Sequence, residues 1–342
     1  MKQVSMLFAT LIICLTSCGK DNGVGNMGGA PTNLSVTATV NPDNSGNVSF
    51  TATATNASTY DFNFGNGSFQ TVSSGSYTYK YGSSGTYTVT VTAKNAQGQS
   101  TSKTISVTVT VTQTLVWSDE FNTNGAPDPA KWGYDLGTGD NGWGNNELEY
   151  YTSRPDNSVV SNGSLKITAK KESFSGSNYT SARLLSKGKY AFKYGRVEVS
   201  AKLPAGVGSW PAIWMLGDNI SIAGWPACGE IDIMEHRGSE LNKIFGTLHY
   251  PGRSGANADG GTKQITNATS EFHKYTMDWS PAFIKIYVDD QLFHTVTNSN
   301  NLPFNQDFFF IMNVAIGGNF AGAVDPALTS ATMEVDYIRV YK

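Results

Sequence analysis

The chain has 342 residues, enough for two domains and a sizeable core. Charged residues make up only 15% and the formal net charge is −3, with no basic run, so nucleic acid is excluded as a partner. Glycine (36), tyrosine (16), phenylalanine (17) and tryptophan (7) are plentiful, a mixture that suits an all-β protein presenting aromatic rings.

At the N-terminus, Lys2 is followed by an apolar run from Val4 to Leu15. The run is too short to span a membrane and has the shape of a signal peptide, residues 1–17. Leu15-Thr16-Ser17-Cys18 resembles a bacterial lipobox, which makes Cys18 the expected lipidation site. Cys14 then lies in the removed segment and Cys228 is left alone, so no disulfide is available to the mature chain. Residues 18–32 are polar and Gly-rich and read as a flexible tether. The expected location is the bacterial outer membrane, lipid-anchored and facing the cell surface. Membrane contact is expected only through that anchor.

Residues 33–112 consist of short alternating strands between turn residues. Tyr87-Thr88-Val89-Thr90-Val91-Thr92-Ala93 and Ile105-Ser106-Val107-Thr108-Val109 alternate cleanly, and Asn66-Gly67, Ser84-Gly85 and Gln97-Gly98 mark turns. This rhythm predicts a small Ig-like β-sandwich. Tyr60-Asp61-Phe62-Asn63-Phe64-Gly65-Asn66-Gly67, followed by Gly85-Thr86-Tyr87-Thr88-Val89, resembles a PKD domain. No carboxylate or histidine cluster appears there, so a spacer role is expected. Tyr77, Tyr79 and Tyr81 alternate onto one face, either as an exposed binding platform or as core.

A second domain, 113–342, opens with the strand Leu115-Val116-Trp117-Ser118-Asp119-Glu120-Phe121. Gly142-Trp143-Gly144-Asn145-Asn146-Glu147-Leu148-Glu149-Tyr150-Tyr151 holds too many aromatics and amides for a plain loop. Such residues bind glycans, rings against C–H surfaces and amides against hydroxyls. Trp210 and Trp214 share one face of a strand at period two. Ile284 to Phe293 reads as a hairpin, and Phe308 to Phe320 as a buried strand running into a loop.

The densest chemistry lies in Gly229-Glu230-Ile231-Asp232-Ile233-Met234-Glu235-His236. Glu230 and Asp232 point to one face of a strand, Ile231 and Ile233 to the other. Strict alternation would bury Glu235, whereas a one-residue bulge after Ile233 returns it to the face of the other acids. The two glutamates are then about 13 Å apart at Cα. Long side chains leaning together bring the carboxyls to about 5–5.5 Å, the separation used by retaining glycosidases. Asp232 is expected to hold Glu230, and the neighbouring carboxyls to raise the pKa of Glu235.

Gly224-Trp225-Pro226-Ala227-Cys228 together with this stretch resembles the active-site signature of glycoside hydrolase family 16, in its laminarinase-like branch. The similarity runs from about Leu115 to Tyr341. It implies a β-jelly roll of the concanavalin A-like type with an open cleft and no cofactor for catalysis. Glu230 would be the nucleophile, Asp232 its assistant and Glu235 the acid/base. Asn145 and Arg183 would contact sugars on the non-reducing side, Trp210, Trp214 and Trp225 would stack on glucan, and His249 would face the leaving group. A structural Ca²⁺ is implied near Glu120, Gly163 and Asp336, held by the Asp336 carboxylate and main-chain carbonyls. Phe320 stands where related laminarinases usually carry Trp. The expected activity is internal hydrolysis of β-1,3-glucan such as laminarin, or of mixed β-1,3/1,4-glucan, by a monomer. Galactans or mucin-type glycans remain as alternative substrates, and a non-catalytic glycan-binding protein as the alternative class.

Overall fold

The computed structural model describes residues 29–342. The expected signal peptide, Cys18 and most of the tether lie outside the described residues. The tether's expected end at residue 32 is corrected. Gly29 O accepts hydrogen bonds from Asn56 Nδ2 and Asn95 Nδ2, and a strand already opens at Thr32.

Two separate cores organise the chain. The first lies between a three-stranded sheet (Thr32–Val40, Asn47–Thr55, Ser76–Lys80) and a four-stranded sheet (Phe69–Val72, Thr59–Asn63, Gly85–Lys94, Ser100–Val109). Alternate residues Phe62, Val89, Val91 and Ala93 are fully buried, because in a two-sheet sandwich one face of each strand meets the opposite sheet. Tyr81 is buried, and Tyr79 stacks on buried Phe64 with centroids 3.9 Å apart. The three tyrosines therefore pack with the core and form no outward platform.

The second core lies between a ten-stranded and a seven-stranded sheet, built almost wholly from antiparallel pairs. The larger sheet joins the opening strand, Leu115–Asp119, to the closing strand, Ser330–Tyr341. The smaller sheet carries the cleft. Its spatial order is Asp259–Gln264, Lys243–His249, Glu230–His236, Ser209–Gly217, Phe308–Ile316, Arg183–Leu185, Gly133–Asp135. Phe308–Ile316 is buried at every position, as a central strand covered on both faces must be. On the acid strand Ile231, Ile233 and Met234 are all fully buried in the inter-sheet core. Burying 39 residues of this core from both sheets fixes the register that presents the acids.

Candidate active site

The bulge sits where the failed alternation placed it. Against Ser209–Gly217, Ile213 pairs with Met234 and Trp214 with Asp232, leaving Ile233 as the extra residue. Against Lys243–His249, Asp232 pairs with Thr247 and Glu235 with Phe245. Two consecutive residues thus turn into the core, and Glu235 returns to the face of Glu230 and Asp232.

The three acids line a cleft of about 820 Å³. Trp210 Nε1 donates to Glu235 Oε1 at 3.0 Å, and Thr247 Oγ1 donates to Glu235 Oε2 at 3.3 Å. Trp225 Nε1 donates to Glu230 Oε2 at 3.1 Å. Indoles expected only as stacking surfaces therefore also aim the two glutamates. Asp232 makes no hydrogen bond to Glu230. Its Oδ2 lies buried 3.2 Å from His249 Nε2 without the alignment of a hydrogen bond, while Glu230 Oε1 is 3.5 Å from the same nitrogen. The Gly255 N–H donates to His249 Nδ1 at 3.1 Å, which leaves Nε2 as the protonated nitrogen facing the acids. Glu230, Asp232 and His249 place one ligand atom each within 4.8 Å of one another, the one such group among the described residues. A metal-bound histidine ordinarily donates its second nitrogen, whereas here Nδ1 accepts from the Gly255 N–H.

Burial is the first cause of the perturbed acidity. It pushes Glu230 up to about 8, assisted by the charge of Asp232 and opposed by His249 and the Trp225 N–H. Glu235 also rises to about 8, through burial and then Asp232, against the pull of His249, Trp210 and Thr247. Asp232 is driven well above its ordinary range by burial. The expectation that neighbouring carboxyls supply the shift is therefore corrected, since desolvation outranks them. The three acids titrate as a set and admit negative charge stepwise.

Every expected substrate-binding residue reaches this cleft: Asn145, Arg183, Trp210, Trp214, Trp225 and His249. Arg183 lies between two indoles, 4.4 Å from the Trp143 ring centre and 4.8 Å from that of Trp214, with Nε donating to Asp135 Oδ2 at 3.0 Å. Asn145 Nδ2 donates to Glu147 Oε1 at 3.2 Å. Sequence reasoning did not single out Trp143, Glu147, Asn313 and Thr247, although Trp143 and Glu147 stood in a segment already marked as glycan-like. Phe320 touches Trp210 at 5.0 Å and carries the Arg237 guanidinium over its ring at 4.5 Å, so it forms a braced wall. His236 is fully buried and does not line the cleft.

Asp336, Glu120 and Gly163 all lie on or beside paired strands of the opposite sheet. The pairs Val335↔Leu165 and Ile338↔Asp119 imply that Asp336 neighbours both the turn at Gly163 and the segment at Glu120. The Glu120 carboxylate is engaged by Arg339 through two bonds, of 2.9 and 2.6 Å, which leaves its main chain as the available donor. One exposed carboxylate and main-chain carbonyls are hard oxygen donors of the kind Ca²⁺ takes.

With this geometry in place, comparison with known proteins is direct. A family model described as Glycosyl hydrolases family 16 matches residues 145–339, and one described as PKD domain matches residues 30–111. The beta-glucanase of Rhodothermus marinus is 45% identical over 245 residues, which span 67% of this chain and 85% of that protein. The solved laminarinase from Rhodothermus marinus aligns at a TM-score of 0.65 and 45% identity, covering 68% of this chain and 98% of that one. A glutamate-to-serine variant of LamA from Zobellia galactanivorans, in complex with laminaritriose and laminaritetraose, aligns at 0.63 and 43% identity, covering 67% and 99%. The chain belongs to glycosyl hydrolases family 16, and it is a glycoside hydrolase with a jelly-roll catalytic domain behind a PKD domain.

Proposed function

We propose that the protein is a retaining endo-glycosidase that cleaves internal bonds of β-1,3-glucan such as laminarin, or of mixed β-1,3/1,4-glucan. The observation that carries this reading is the bulged strand, which sets Glu230, Asp232 and Glu235 side by side in an indole-walled cleft. The laminarinase and beta-glucanase names of the similar proteins support the substrate.

Glu230, aimed by the Trp225 N–H, attacks the anomeric carbon and forms a glycosyl-enzyme. Glu230 and Glu235 are both raised to about 8, so the coupled set carries its first negative charge on only one of them. In the reactive form that charge sits on Glu230, and Glu235 keeps its proton and gives it to the leaving oxygen. It then takes a proton from the incoming water, which attacks the glycosyl-enzyme and frees Glu230. Asp232 and the Nε2–H of His249 surround Glu230 and assist as its charge is consumed and regenerated. The two-carboxylate route uses no cofactor.

A product profile tests the substrate. Laminarin, barley mixed-linkage glucan, an agar-type galactan and mucin O-glycans are incubated separately, and released oligosaccharides are separated by chromatography. Early short gluco-oligosaccharides from the first two are expected. Products from galactan or mucin alone would move the protein to another substrate, and silence on all four would make it a binding protein.

Two further assignments belong to this reading. Asp336 and the main chain near Glu120 and Gly163 hold a structural Ca²⁺, which would tie the opening and closing strands together. EGTA is then expected to lower the unfolding midpoint and CaCl₂ to restore it, whereas no change in either would remove the ion from the account. Cys18 carries lipid and anchors a monomer to the outer membrane, facing outward. Labelled palmitate should enter the parent and not Cys18→Ala, and protease should reach the protein on intact cells.

A further inference from the structure

The cleft holds a second pair of carboxyls that the chemistry above does not use. Glu147 lines the cleft and is 9% exposed, and Glu149, two residues on, is completely buried behind it. The two carboxyls share one network with the Tyr151 hydroxyl and are close enough to act on each other. Glu149 Oε2 accepts the Ile316 N–H at 2.7 Å, while its Oε1 meets no donor.

The nearby donors are already placed. Tyr151 O–H and Asn145 Nδ2 both donate to Glu147, at 3.0 and 3.2 Å. Asn313 Nδ2 donates to Tyr151 Oη at 2.9 Å, and Trp214 Nε1 donates to Asn313 Oδ1 at 2.8 Å. Arg183, the cation on the neighbouring strand, has its Nε on Asp135 and its plane between two indoles. Among the described residues no cation forms an ion pair with either carboxyl, and burying both as anions would be prohibitive. A single proton on Glu149 removes the repulsion and turns its orphaned oxygen into a donor. Burial, then the charge of Glu147, acts in the same direction on the acidity of Glu149.

We propose that Glu149 is a positioning residue that works as a neutral carboxylic acid, donating from Oε1 to Glu147 while Oε2 holds the Ile316 N–H. One proton then locks the wall of the cleft that carries Asn145. Through Tyr151 and Asn313 the same network reaches the Trp214 indole. It also steadies the approach of the neighbouring loop, where Asn146 Nδ2 donates to Asn319 Oδ1 at 2.9 Å. The inference takes only its choice of substrate from the glucanase reading.

The test compares Glu149→Gln with Glu149→Leu in the full chain. Glutamine reproduces both hydrogen bonds of a neutral acid, whereas leucine makes neither. With a laminari-hexasaccharide, the leucine variant is expected to raise KM about tenfold while kcat changes less than about threefold, and glutamine is expected to return KM to within about twofold of the parent. A glutamine variant as impaired as the leucine variant would overturn the proposal, as would a leucine variant with unchanged KM. Infrared difference spectra between the parent and Glu149→Gln at pH 7 provide a second readout that needs neither substrate nor the leucine variant. Loss of a protonated-carboxyl C=O band is expected. Loss of a carboxylate band would show that Glu149 is ionised and end the inference, whatever glycan the enzyme cleaves.

Discussion

Glu230, Asp232 and Glu235 crowd the cleft face of one strand, and that crowding sets both their chemistry and their cost. A carboxyl whose folded pKa lies at about 8, above its unfolded value near 4.5, binds protons more tightly in the folded state. Its stabilising contribution is complete below about pH 4.5 and is lost as pH rises through about 8. Taken alone, one such group corresponds to at most about 5 kcal/mol over that window, and less when the acids share the burden. Glu235→Gln carries no such titration. Its unfolding midpoint should therefore gain on the parent as pH rises from 5 to 8.5, by about 2–4 °C for each kcal/mol recovered. Thermal scans at matched ionic strength check this, and a variant that tracks the parent at every pH would refute the burial account. At this scale the identities of the acids were legible, because carboxylates seldom alternate with isoleucine without a site to serve. The cause of their acidity was not. Desolvation depends on how tightly strands far apart in sequence close around them, as do the orphaned oxygens of Asp232 and Glu149.

The acid strand argues at the scale of the element. Period two fails at Met234 in the sequence, and the register shifts on both neighbouring strands show the bulge that the failure required. Removing Ile233 would leave Glu-Ile-Asp-Met-Glu, which alternates without a bulge and pairs regularly on both sides. The Ile233 deletion is therefore expected to keep all three acids on the cleft face and to retain hydrolysis within about a hundredfold, with a lower midpoint from lost core packing. Deleting both Ile233 and Met234 turns Glu235 inward and should abolish activity. Turnover and midpoint of the two variants settle the point; inactivity of both in a folded state would contradict it. Rim loops were harder to read. Gly318 has φ +73, and a Cβ there would come within 2.8 Å of the Asn145 carbonyl, so two loops far apart in sequence meet across bare backbone. Nothing local in either segment announces that meeting.

Across the whole molecule, the two largest hydrophobic cores match the two alternating stretches of the sequence, one in residues 33–112 and the other in 113–342. The fold class was legible because alternation reports which face of a strand is buried. Tyr77, Tyr79 and Tyr81 show the limit of that signal: it placed them on one face without saying whether a second sheet covers that face. Register carries similar information for Asp336, which the sequence left as one carboxylate near a strand end and the pairing brings to Gly163 and Glu120.

The central claim is that Glu230 is the nucleophile and Glu235 its acid/base partner. It is tested most directly by trapping the intermediate. Glu235→Ala is mixed with an aryl β-laminaribioside whose leaving group needs no protonation, quenched, digested and mapped by mass spectrometry. The account predicts a disaccharide ester on Glu230, accumulating because no base activates water, and none in Glu230→Ala. An ester on Glu235 in the parent protein, or release of a product with inverted anomeric configuration and no ester anywhere, would contradict it.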